Sequence, residues 1–241
     1  MNRIFFMVIR NIYRVPVWVF RMWKMGLPGD RHTYQQRYDY IRHVVKCVNQ
    51  TGRVEVEVYG IENLPEENGF ILFPNHQGLF DVLALMDACP KPLGIVVKKE
   101  AANLILVKQV RKALNGFSMD RKDLKSSMEI IRRMTENVKT GSNYVIFPEG
   151  TRSREGNKLL PFKGGTFKSA VNAKCPIVPV NLVDCFKPFD ENSSRKLKVK
   201  VSFLKPLYPE DYEGMKTLKI AEIVHDEIEK EMAILLEKRN D

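Results

Sequence analysis

Phe70-Ile71-Leu72-Phe73-Pro74-Asn75-His76-Gln77-Gly78-Leu79-Phe80-Asp81 is the stretch on which the reading of the fold turns. Residues 70–74 form a short apolar, aromatic-rich run, the pattern of a buried strand. Pro74 and Asn75 end it. Residues 79–89 then place apolar side chains at 79, 80, 82, 83, 85 and 86, a helical pattern. His76 therefore falls in a strand-to-helix turn, with Asp81 about one turn into the helix. A carboxylate there can reach the imidazole, hold one tautomer and leave the other ring nitrogen free, which pairs a general base with its orienter. By spacing alone, a capping histidine and a surface aspartate would give the same letters.

A second stretch repeats the first. Tyr144-Val145-Ile146-Phe147-Pro148 is again an apolar run ending in Phe-Pro, and Glu149-Gly150-Thr151-Arg152-Ser153 follows at once. Two strands that end alike and lead directly into polar residues suggest one shared rim, and sites in α/β sheets lie at such strand ends.

The rest of the chain alternates in the same way. Residues 34–48 carry a helical pattern, ended by Thr51-Gly52. Val54, Val56 and Val58 alternate with Glu55 and Glu57, as in a half-exposed strand. Buried strands are expected at 94–97 and 176–183, a short strand at 116–119, and an edge-like alternating strand at 197–203. Helices are expected at 101–114, 122–139 and 217–238. The fold class is α/β, with a mostly parallel or mixed sheet flanked by helices. With 241 residues, the chain suits one such domain, 49–241, preceded by a basic amphipathic helical segment, 1–48. There is no internal repeat.

The net charge is +10, and residues 1–46 hold nine basic side chains against Asp30 and Asp39. Such an arm seeks a polyanion. Wound as a helix, Arg3, Arg10, Arg14, Arg21 and Lys24 fall on one stripe, and Phe5, Phe6, Ile9, Ile12, Trp18, Phe20 and Trp23 occupy much of the rest. That is the pattern of a helix lying in the membrane interface. The expected membrane-binding set is Arg3, Arg10, Arg14, Trp18, Arg21, Trp23 and Lys24. A bilayer-spanning helix would bury Arg10 and Arg14 near its middle at roughly 2.5–3.5 kcal/mol each. A cleaved leader would have an uninterrupted apolar core and a small-residue cleavage site. Pro16 divides the segment into two short helices. Nucleic acid is excluded as a partner, because the aromatics form a bulky face and are not interleaved with the basic residues. Cys47, Cys89, Cys175 and Cys185 form no CxxC and the four histidines are scattered, so neither a disulfide framework nor a metal site is expected.

Asn75-His76-x4-Asp81 followed downstream by Phe147-Pro148-Glu149-Gly150-Thr151-Arg152 resembles the glycerolipid acyltransferases, most closely the 1-acylglycerol-3-phosphate (lysophosphatidic acid) acyltransferases. The resemblance covers roughly residues 70–185. It implies transfer of a fatty acyl group from a thioester of acyl-carrier protein or coenzyme A to the free hydroxyl of lysophosphatidate, with no further cofactor. His76 is then the base and Asp81 its orienter. Lys99, Arg121, Glu149, Gly150, Thr151 and Arg152 are the expected substrate-binding residues. Arg152 comes first for the phosphate, since guanidinium matches it bidentately. Glu149 would bind a substrate hydroxyl or orient Arg152, and amides near Gly78 or Gly150 would hold the oxyanion. Lys99, Glu100, Gly116 and Arg121 resemble the family's middle motif, although Ala101 stands where the family has Leu. Membrane association on the cytoplasmic face follows from the lipid substrate. Glycerol-3-phosphate or another lysophospholipid as acceptor is the alternative, and a lipid or thioester hydrolase another. No Gly-x-Ser-x-Gly elbow is present for a serine esterase.

Overall fold

A computed structural model of the protein describes residues 3–100, 102–119 and 123–237. In chain order the elements are α1 (Arg3–Asn11), α2 (Val15–Met25), α3 (Tyr34–Thr51), β1 (Val54–Tyr59), β2 (Ile71–Pro74), α4 (Asp81–Ala88), β3 (Gly94–Lys98), α5 (Ile105–Ala113), β4 (Phe117–Met119), α6 (Leu124–Lys139), β5 (Tyr144–Val145), α7 (Lys168–Ala173), β6 (Ile177–Val183), α8 (Lys187–Asp190), β7 (Leu197–Phe203), α9 (Pro209–Tyr212) and α10 (Thr217–Glu237). The seven strands make one sheet in the order β1-β7-β6-β2-β5-β3-β4. Neighbours run parallel, with β6–β7 the one antiparallel pair.

β2 and β6 lie in the middle with every residue buried, which is why their sequences are continuously apolar and do not alternate. One face of the sheet packs on α3 and α4 through Tyr38, Ile41, Val44, Leu72, Leu85 and Val180. The other packs on α6, α7 and α10 through Phe73, Met134, Phe167, Val224 and Ile228. α3 starts at a capping box, with Thr33 and Gln36 exchanging side-chain-to-amide bonds of 2.9 and 3.1 Å.

Two expectations change. Residues 197–203 alternate as an edge strand would, yet β7 lies inside the sheet between β1 and β6. Two of its polar residues are explained by α10: Lys200 Nζ donates to the Leu235 carbonyl at 2.7 Å and Ser202 Oγ to Glu231 Oε1 at 2.8 Å. The third, Lys198, is exposed and pairs with Glu57 of β1. The N-terminal segment, expected to be an appendage, is built into the main core. Met7, Trp18, Met22 and Met25 share one apolar cluster with α3 and the sheet.

α1 also sits the other way round from the expected stripe. Arg3 and Asn11 are buried, while Phe5, Ile9 and Ile12 are exposed. The reason is the C-terminus of α3, whose last carbonyls have no partner within the helix. Arg3 Nη1 donates to the Gly52 carbonyl at 2.6 Å, Arg10 Nη1 to that of Thr51 at 2.6 Å, and Asn11 Nδ2 to Thr51 Oγ1 at 2.7 Å. Arg3 and Trp18 therefore leave the outward-facing set, because both are buried against the protein. Arg14, Arg21, Trp23 and Lys24 remain exposed. The break at Pro16 is as expected: α1 ends at Asn11, and the proline occupies the first turn of α2. Among the described residues, no helix is long and apolar enough to cross a membrane.

Candidate active site

β2, β5 and β3 are parallel neighbours, so the loops that follow them leave the sheet on one rim. Three of the sequence motifs are carried there: residues 75–81 after β2, 146–153 after β5, and Lys99 after β3.

The first loop is held at nearly every polar atom. Asn75 continues the β2–β6 ladder with its side chain, donating to the Leu182 carbonyl at 3.0 Å and accepting the Leu182 amide at 2.7 Å. His76 Nδ1 lies 2.7 Å from Asp81 Oδ2. Asp81 opens α4, a turn earlier in the helix than its spacing suggested. It is fully buried, and it also accepts the amides of Gln77 at 2.7 Å and Gly78 at 3.0 Å. Burial pushes the Asp81 carboxyl above its ordinary range, and the His76 ring and these amides pull it back. With a carboxylate on Nδ1, the proton belongs on that nitrogen and the lone pair on Nε2. The imidazole stacks on Phe147 with centroids 4.0 Å apart and planes at 26°. A side chain at Gly78 would meet the Phe186 backbone at 3.0 Å, so a larger residue would have to push that backbone aside.

The second loop clamps the first. Glu149 Oε1 accepts the His76 amide at 2.8 Å, and the Ser153 amide donates to the His76 carbonyl at 3.0 Å. Glu149 is only 2% exposed. This corrects its expected role: it faces the His76 backbone, not a substrate hydroxyl or Arg152. Burial lifts its carboxyl to about 7, with the His76 amide opposing and the Asp81 charge adding to the rise. Its Oε2 makes no hydrogen bond of normal geometry, although the Leu160 amide also pulls the carboxyl down. Gly150 adopts φ +72°, and a side chain there would meet Lys163 Nζ at 2.9 Å. Thr151 is exposed and Arg152 half-buried on the rim.

The amides of both candidate oxyanion glycines are occupied. That of Gly78 is on Asp81, and that of Gly150 donates to the Phe147 carbonyl at 3.1 Å. Lys99 is exposed, its amide on the Met119 carbonyl at 3.1 Å. Arg121 lies outside the described residues. Direct bonds thus join His76, Asp81 and Glu149, while Thr151, Arg152 and Lys99 lie on the same rim.

Sequence reasoning missed Phe147, Gln77 and Ser153 as parts of the site. For Phe147 a signal existed in the repeated Phe-Pro. For the others there was none, since a polar residue in a turn reads as exposed. Beneath Phe147 lies an apolar slot of about 30 Å³, lined also by Val82, Leu85, Met86, Leu93 and Ile95. An open cleft of about 980 Å³, lined by Glu66, Val138, Lys174 and Pro206 among others, contains none of the site residues.

The chain has recognisable relatives among known proteins. The sequence profile of the Acyltransferase family matches residues 55–183. The chain is 31% identical to the 1-acyl-sn-glycerol-3-phosphate acyltransferase of Cocos nucifera, over 73% of this chain and 59% of that protein. It is 27% identical to a probable 1-acyl-sn-glycerol-3-phosphate acyltransferase of Mycoplasma pneumoniae, over 80% of this chain and 76% of that one. It thus spans less than two thirds of the coconut protein. The crystal structure of the 1-acyl-sn-glycerophosphate acyltransferase PlsC from Thermotoga maritima superposes with a TM-score of 0.75 at 22% identity, covering 97% of this chain and 93% of that one. The two chains share a fold.

Proposed function

The chain belongs to the acyltransferase family, and from that premise we propose that it moves a fatty acyl group from an acyl thioester to the free hydroxyl of lysophosphatidate, giving phosphatidate. The observation that carries this reading is the His76–Asp81 pair: Nδ1 is fixed at 2.7 Å on a buried carboxylate while the ring remains partly exposed at a strand-end rim. An alcohol is a weak nucleophile near neutral pH. His76 Nε2 takes the hydroxyl proton as the oxygen attacks the thioester carbonyl, and Asp81 stabilises the imidazolium that forms. When the tetrahedral adduct collapses, the C–S bond breaks and His76 returns the proton to the leaving thiolate. The enzyme forms no covalent intermediate, because the substrate hydroxyl does the work a serine would otherwise do.

Arg152 holds the acceptor's phosphate, with Lys99 and Arg121 as further cations and Thr151 beside them on the rim. The slot under Phe147 is apolar and borders the residue stacked on His76, and at about 30 Å³ it has room for roughly one methylene of an acyl chain. The thioester donor is acyl-carrier protein or coenzyme A. The exposed apolar side of α1 and α2, flanked by Arg14, Arg21 and Lys24, rests on an anionic bilayer surface on the cytoplasmic side. The membrane supplies the acceptor there and takes up the product.

The test uses purified protein in vesicles containing lysophosphatidate, with a long-chain acyl thioester of coenzyme A and, separately, of acyl-carrier protein. Thiol release and phosphatidate are measured together. Equal amounts of both, reduced on the order of 10²–10⁴-fold by His76→Ala, are the expected result. Thiol release without phosphatidate would instead identify a thioesterase or another acceptor. Unchanged phosphatidate in the variant would remove His76 from the reaction.

A further inference from the structure

Behind the catalytic loop lies a set of polar contacts that no sequence motif announces. Gln77, next to His76, is 1% exposed, and both ends of its amide are engaged. Its Oε1 accepts the Cys185 amide at 2.8 Å, and its Nε2 donates to Asn157 Oδ1 at 2.8 Å. Asn157 Oδ1 also accepts the Asp184 amide at 2.8 Å, and Asn157 Nδ2 donates to Asp184 Oδ1 at 2.9 Å. Lys187 Nζ closes the set on Asp184 Oδ2 at 2.8 Å. Asp184 is held at φ +62°, a conformation few non-glycine residues adopt without local support. Asn157 is thus the hub at which three segments meet: the loop after β2, the loop after β5 and the turn from β6 into α8.

The contacts matter because of what the other side of Gln77 does. Its backbone amide donates to Asp81 Oδ2, the oxygen that also receives His76 Nδ1. Turning the Gln77 peptide would move that amide away from Asp81 and leave the carboxylate free to shift, and His76 with it. The Gln77 side chain has no route to substrate, since it is buried and bonded at both ends. We propose that Asn157 is a positioning residue: through Gln77 and Asp184 it sets the Gln77 peptide, and so the alignment of Asp81 with His76. This rests on His76 acting as the base, and it extends that reading to residues outside the family's motifs.

The chemistry of Asn157 permits a discriminating test. Asn157→Leu removes all three bonds. Asn157→Asp places a carboxylate against Asp184, two acceptors face to face. Combining Asn157→Asp with Asp184→Asn exchanges donor and acceptor across the same contact and restores every bond, Lys187 still having an oxygen to meet. The full chain is assayed in lysophosphatidate vesicles with an acyl-coenzyme A or acyl-carrier-protein thioester, whichever the wild type uses. In parallel, the His76 ring nitrogens are observed by ¹⁵N NMR, which needs no turnover.

Misalignment by about 1 Å costs on the order of 10²-fold in rate. Both single variants are therefore expected to lose about 10–100-fold in kcat, with KM for both substrates within about 2-fold, and the exchanged pair to recover to within about 3-fold of wild type. The Nδ1–H tautomer of His76 should weaken in the single variants and return in the pair. Unchanged kcat and tautomer in Asn157→Leu would overturn the proposal. So would losses that follow the melting temperature of each variant and not its tautomer, because that is what a purely structural role gives. A wild type that makes no phosphatidate would refute the proposed reaction, while the tautomer series would still decide the clamp.

Discussion

Glu149→Gln isolates the most unusual electrostatic feature of the site. The folded protein holds the Glu149 carboxyl at about 7 against an ordinary 4.5, chiefly through burial. An unfolded chain titrates it at the ordinary value. Between those two pH values the folded state therefore carries the extra proton, and stability falls as pH rises through the window. A rise of this size corresponds to about 3 kcal/mol, fully present as a destabilisation above pH 7 and absent below about 4.5. For a chain of this length that is on the order of 10 °C in melting temperature. Glutamine is uncharged throughout and its oxygen can still accept the His76 amide. The assay is urea unfolding of wild type and variant at pH 5 and pH 8. Wild type should lose about 2.5 kcal/mol more than Glu149→Gln between the two, because the unfolded carboxyl is already mostly ionised at pH 5, and the difference of differences cancels the titrating groups that do not interact with Glu149. Parallel losses would refute the reasoning, since they would mean that Oε2 is satisfied when ionised and the burial inferred for it is wrong.

Two further outcomes follow from the same geometry. Asp81→Asn should move the His76 proton to Nε2, visible by ¹⁵N NMR, and lower kcat by about 10³–10⁴-fold; a variant within about 10-fold of wild type would show that the tautomer is set otherwise. Phe20→Asp combined with Trp23→Asp should weaken cosedimentation with phosphatidylglycerol vesicles by about 100-fold or more, while turnover of a dispersed short-chain acceptor stays near wild type; unchanged vesicle binding would remove the α2 face from the membrane contact.

What the sequence made legible was local. The strand, turn and helix across 70–88 show in period and length alone, and so does the second Phe-Pro strand end. His76 and Asp81 are close in the chain, and their contact needs only the turn between them. Glu149 was placed on the rim with the right neighbours, yet its direction was misread. Its partner is a backbone amide 73 residues away, and nothing in Glu-Gly-Thr-Arg says whether the carboxylate turns outward or under the loop. Arg3 failed for the same reason. On a helical wheel it belongs to a cationic stripe, but the carbonyls that claim it lie 49 and 192 residues away. β7 shows the reverse error: alternation predicted one exposed face, while Lys200 and Ser202 on that face are covered by α10 through the end of the helix and Glu231, leaving only Lys198 outside.

The buried arginine also changes what the N-terminal helices imply. An amphipathic helix on a globular protein normally turns its apolar side inward. α1 turns Arg3 and Asn11 inward beside Met7 and leaves Phe5 and Ile9 outside, Ile12 just after it is exposed too, and α2 adds Phe20 and Trp23 to the exposed set. Apolar groups left in this way form a patch that mostly signals an interaction surface. The orientation is no accident of a loose segment, because Arg3 and Arg10 cap α3, and Trp18, Met22 and Met25 are packed into the core that also holds Leu72 and Val180. A patch fixed to the core in this way has a set distance and angle to the rim after β2. On a bilayer it would hold His76 at one depth, with no flexible linker to average over. The lipid acceptor would then meet the base by geometry built into the fold, and loosening the cap on α3 should cost turnover on vesicles before it costs turnover on a dispersed acceptor.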